Sequence, residues 1–117
     1  MLKIAILIFA IGALGGLVLA SSVLRGKLAP WPLSIIHMLL GATGLVLTAI
    51  VVLGGSAAGK GVIPVALLIL VVAALGGFYL ASIHARKVVA PKGVVVIHAG
   101  VAVIGFLLLL GGAFHFI

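Results

Sequence analysis

Four apolar runs occupy nearly the whole chain, and each is about as long as a helix that crosses a bilayer. They are Leu2–Leu24, Pro32–Gly54, Val62–Ile83 and Val94–Ile117, against the roughly 20 residues needed to span about 30 Å of hydrocarbon. Three short breaks separate them: Arg25–Trp31, Gly55–Gly61 and Ala85–Gly93. The runs do not alternate polar and apolar residues, which argues against a membrane β-barrel. Pro32 and Pro64 suit the first turns of the second and third helices, where a missing N–H costs nothing. The expected fold is all-α, a four-transmembrane-helix bundle forming one membrane domain over residues 1–117.

Charge points the same way. Only 6% of the 117 residues are charged and none is Asp or Glu, whereas a soluble domain carries about 25%. The net charge of +7 does not indicate nucleic acid, because phosphate-gripping residues need a wet surface with polar or aromatic neighbours. Here the cations flank apolar runs, so the partner they imply is membrane lipid. The chain has no cysteine, which removes disulfides, thiolate metal sites and thiol catalysis. Without carboxylates there is neither a paired-carboxylate site nor a Ser/His/Asp triad, so hydrolytic enzymes are excluded.

An internal repeat divides the chain into residues 1–56 and 62–117. Ala13-Leu14-Gly15-Gly16 recurs as Ala74-Leu75-Gly76-Gly77, 61 residues later. At that offset Leu19, Ala20, Ser21, Arg25, Ala29 and Pro30 match Leu80, Ala81, Ser82, Arg86, Ala90 and Pro91, so ten of 18 positions agree without a gap. Composition bias supplies Leu and Ala matches, but not aligned Gly-Gly, Arg and Ala-Pro as well. The same offset sets Ile36-His37 on Ile97-His98 and Gly44 on Gly105. The reading is a tandem duplication of a two-helix hairpin, giving parallel repeats about an axis along the membrane normal. It also argues against the first run being a cleaved secretory signal, despite Lys3 and the small residues at Ala20-Ser21-Ser22.

The basic residues set the expected orientation. Arg25, Lys27, Arg86, Lys87 and Lys92 follow the first and third runs, and only Lys3 and Lys60 lie on the other side. An excess of Lys and Arg marks the cytoplasmic face, which places both termini on the non-cytoplasmic side.

Histidines carry the candidate chemistry, since ionisable residues within spans are functional suspects by default. The repeat puts His37 and His98 at matching depth. Small residues follow on the same helix faces, Gly41 and Gly44 after His37, and Ala102 and Gly105 after His98. Two facing imidazoles beside cleared faces suit a flat ligand held by an axial pair, and haem b answers that description. Arg25 and Arg86 lie on the side nearer the pair and suit the haem propionates as charge-assisted partners. The alternative is interhelical hydrogen bonding by the histidines, with Gly and Ala serving close packing. Gly16 with Ala20 and Gly77 with Ala81 are small-residue pairs of that packing kind.

His84 has Val23 as its repeat counterpart, so a symmetric site does not need it. It shares a face with Gly77 and Ala81, and suits a proton relay because imidazole exchanges protons near neutral pH. It also remains open at this stage as the partner of His98 in place of His37. His115, matched by Gly54, reads as an interfacial residue.

Four spans with intramembrane His37, His84 and His98 resemble the small four-helix membrane b-type cytochromes, the group that includes superoxide oxidase. That resemblance implies a bacterial inner membrane and electron exchange between haem and quinone or a small oxidant such as superoxide. Members of the group commonly carry more histidines and often two haems. Two other classes remain: a haem-free transporter or channel, and a scaffold subunit of a membrane complex. The absence of carboxylates argues against a proton- or sodium-coupled carrier. Association into a homo-oligomer or a larger complex is left open.

Overall fold

The computed structural model describes residues 1–117. It contains α1 (Leu2–Leu24), α2 (Trp31–Leu53), α3 (Ile63–Ala85) and α4 (Lys92–Ala113), with one 3-10 turn at Ala57–Gly59. The helices have 23, 23, 23 and 22 residues. At about 1.5 Å per residue each is some 33 Å long, and all four are long and apolar enough to cross a membrane. The third helix runs two residues beyond the apolar run and so includes His84 and Ala85, while the fourth begins at Lys92 rather than Val94. Hydrophobicity marks the part of a helix that suits lipid, and hydrogen bonding carries the helix into the polar flank.

Each helix packs most extensively on its hairpin partner, α1 on α2 and α3 on α4. The hairpins then meet through α1 with α4 and α2 with α3. The bundle measures 44 × 21 × 19 Å. Outward faces remain apolar: Leu14 is 66% and Leu75 64% exposed, and Leu17, Leu39 and Leu68 stand out similarly. Water does not tolerate a belt of that kind on a monomer, and lipid does.

Structure recurs at the same spacing of 61 as the sequence. α1 and α3 begin at 2 and 63 and end at 24 and 85. Ala5 and Ala66 are both fully buried, as are Thr48 and Leu109. The tightest apolar cluster, Leu2, Ile6, Val51, Ile63, Ala66, Leu70 and Leu109, fills the end away from the basic loops. At the basic end the two hairpin turns close alike. Gly26 N–H donates to Val23 O and Lys27 N–H to Ser22 O, and Lys87 N–H donates to His84 O and Val88 N–H to Ile83 O. This closure needs a left-handed residue after the helix. Gly26 supplies it at φ +71°, and Lys87 takes the same conformation at φ +58°.

Candidate functional site

His37 and His98 lie six residues into α2 and α4 (31 to 37, 92 to 98). They face each other across the bundle, with ring centroids 6.4 Å apart and planes at 85°. Each ring is oriented by its own hairpin. His37 Nδ1–H donates to Gly12 O, and His98 Nδ1–H donates to Ala73 O, both at 2.8 Å. Gly12 and Ala73 are again 61 apart, so the two contacts are repeat equivalents.

These bonds determine the tautomer. A carbonyl only accepts, so Nδ1 carries the proton in both rings, and in neutral imidazole Nε2 then keeps its lone pair. Neither Nε2 has a hydrogen-bond partner. Two half-buried imidazoles on different hairpins thus keep an unbonded Nε2, each ring held through its other nitrogen in the way metal-bound histidines are. No group of three or more His, Cys, Asp or Glu exists in the chain. A four-coordinate zinc would thus find only two protein ligands. The donor set suits a metal that brings its remaining ligands with it, as a porphyrin iron does.

Glycines on the other two helices make room for the rings. A Cβ on Gly16 of α1 would lie 2.8 Å from His37 Cε1, and one on Gly77 of α3 would lie 3.1 Å from His98 Cε1. The small residues on the histidine helices sit differently. The space beside Gly44 is filled by Phe9 and that beside Gly105 by Leu70 and Ile69, all from the same hairpin as the glycine they meet. Gly41 has open space around its Cα, and Ala102 is half-buried. Arg25 and Arg86 are exposed at the helix ends, where their Nε–H groups donate back to Ser21 O (3.2 Å) and Ser82 O (3.3 Å).

His84 does not approach the pair. Its Nε2–H donates to Ala29 O at 2.7 Å. With that tautomer Nδ1 is an acceptor, and Ser34 Oγ–H donates to it at 2.6 Å. Trp31 packs edge-on to the ring, with centroids 5.0 Å apart. His84 thereby clasps the end of α3 to the α1–α2 loop and the first turn of α2. Sequence reading assigned no role to Ser34, Ala29 or Trp31. A signal for Ser34 was present: the repeat replaces His84 and Ser34 together, by Val23 and Val95, as expected of two residues that bond each other. His115 is exposed beyond α4 at φ +60° and borders a recess with Lys60 at the end of the bundle opposite Arg25 and Arg86.

The chain matches no described protein family, no curated protein and no solved structure.

Proposed function

We propose that this chain is a b-type membrane cytochrome that passes electrons between a haem and quinone or a small oxidant such as superoxide. The observation that carries the reading is the pair of imidazoles with ring centroids 6.4 Å apart on α2 and α4, each fixed through Nδ1 and with Nε2 unbonded. His37 and His98 would hold the iron, and Gly16 and Gly77 make room for their rings. Haem, when bound, supplies one-electron chemistry. Arg25 and Arg86 spend only Nε on the backbone, which keeps their terminal nitrogens for propionates.

The remaining roles follow from the chain's own side chains. Exposed Arg25, Lys27, Arg86, Lys87 and Lys92 form a rim of one sign, which raises the local concentration of an anion. His84 is the proton-exchanging group. Ser34 Oγ–H donates to its Nδ1, and its Nε2–H donates to Ala29 O.

The bundle sits across the membrane in four spans, with the basic loops cytoplasmic and both termini outside. Its hairpins descend from a duplicated two-helix unit. Shared helix bounds, burial, turn closure and histidine contacts at a spacing of 61 support that descent. A haem-free bundle, as a small transporter or a scaffold subunit, is the second reading, favoured by Phe9 and Leu70 already filling the space beside Gly44 and Gly105.

An absorption spectrum decides between them. Protein purified from haem-replete cells is expected to show a low-spin b-type spectrum that His37→Ala or His98→Ala abolishes or converts. A colourless wild type assigns the pair to packing. Orientation is read separately, since the chain has no cysteine. In intact cells an impermeant maleimide is expected to label Ala58→Cys and not Lys27→Cys.

A further inference from the structure

The two halves are alike enough that their departures from symmetry are informative, and one lies at the basic end. A cleft of about 320 Å³ opens between the α1–α2 loop and the end of α3, lined by Leu28, Ala29, Trp31, His84, Ala85 and Lys87. That is the lower end of the size range of small-molecule sites. At the spacing of 61 the other half has Val89, Ala90, Lys92, Val23, Leu24 and Gly26 in these places. There the clasp of Ser34, His84 and Ala29 is absent, the indole is replaced by Lys92, and a glycine between Arg25 and Lys27 stands in the place of Lys87.

We propose that this cleft binds one anionic lipid per chain, through a phosphate or carboxylate headgroup at Lys87 with its acyl chain along Leu28, Trp31 and Ala85. Three independent features select that occupant. The walls are mostly apolar and lie at the end of lipid-facing helices, so a small water-soluble anion would leave them uncovered. The cation has no partner in the chain, which contains no Asp or Glu. α2 also begins at Trp31 with no acidic residue in its first turn and no side-chain cap, so the positive end of its dipole adds to the same field.

The backbone argues that the charge itself matters. Lys87 holds a left-handed conformation that strains any residue with a Cβ, in a turn that the first half makes with Gly26. Glycine would close this turn without strain, and lysine closes it with a cation beside the cleft. His84 serves as a positioning residue. Its bonds to Ala29 O and Ser34 Oγ hold the cleft wall in place, and the ring needs no direct contact with the lipid. The inference shares only the membrane embedding with the proposed function, and requires no haem.

Trp31 is the only tryptophan in the chain and forms a wall of the cleft, so its fluorescence reports on the site directly. Wild type in nanodiscs of unlabelled neutral lipid is titrated with dibrominated phosphatidylglycerol, dibrominated stearate or dibrominated phosphatidylcholine, whose bromines quench indole on contact. Saturable quenching at one lipid per chain is expected for at least one anionic probe, and only gradual partitioning for the neutral one. Whichever anionic probe saturates at lower concentration identifies the source of the headgroup. Lys87→Gln is expected to raise the half-saturation concentration about fivefold, the worth of one cation near an anionic headgroup. Lys92→Gln, which removes the same charge from the same face outside the cleft, is expected to change it little. Ser34→Val with His84→Val, which installs the apolar pair of the other half, is expected to remove saturation. Equal quenching by all three probes overturns the proposal, as does an equal effect of Lys87→Gln and Lys92→Gln.

Discussion

The clasp between Ser34 and His84 joins the two hairpins by a side-chain bond, and a double-mutant cycle measures it. Ser34 is 7% exposed and donates at 2.6 Å to a ring nitrogen that has no other donor. Ser34→Ala strands that acceptor, at a cost of about 1–3 kcal/mol where water is excluded. Interhelical hydrogen bonds in membrane proteins average nearer 0.6 kcal/mol, with a maximum of about 1.7. The contact is only part-buried near the basic end, so about 1 kcal/mol is the expected value. His84→Val loses more, because Ala29 O is buried and loses its donor as well. With His84 already gone, Ser34→Ala strands nothing and is expected to cost close to zero. The coupling energy is then about 1 kcal/mol, above the roughly 0.5 kcal/mol within which independent sites add. Reversible unfolding in mixed micelles, followed by helical circular dichroism, supplies the four stabilities. Additive costs for the two substitutions would refute the bond between Ser34 and His84.

Two further outcomes follow from the glycines. Gly16→Ala puts a methyl 2.8 Å from His37 Cε1, and Gly77→Ala puts one 3.1 Å from His98 Cε1. Both are expected to perturb the haem spectrum, Gly16→Ala more, and identical wild-type spectra would remove these glycines from the site. Gly26→Ala has open space for its Cβ but sits at φ +71°, so micelle unfolding is expected to show a loss of about 1–2 kcal/mol from backbone strain alone. Lys87→Gly relieves the matching strain and is expected to gain up to about 1 kcal/mol, while weakening binding in the lipid titration.

Much of the architecture is written along the chain in one dimension. Whether a segment is long and apolar enough to cross a bilayer depends on its own residues, so Leu2–Leu24 was legible to the residue and the other spans to within a few. The matched hairpins were legible for a similar reason, since Gly-Gly, Arg and Ala-Pro recur at a fixed spacing. What could not be read was the rotation of each helix about its own axis. A soluble helix reveals its inner face by an apolar stripe, but these helices are apolar all round, and lipid on the outside and side chains on the inside look alike in sequence. Periodicity could group Gly44 with His37 on one face, yet only packing brings Phe9 against that glycine. Matching depth could pair His37 with His98 and left His84 as an alternative, and only the tertiary structure shows His84 turned toward Ser34 and Ala29. Hydrogen bonding made that choice. Each half-buried imidazole N–H needs a carbonyl within about 3 Å, and only the assembled hairpins show that Gly12 and Ala73 supply one for His37 and His98 while Ala29 supplies the third.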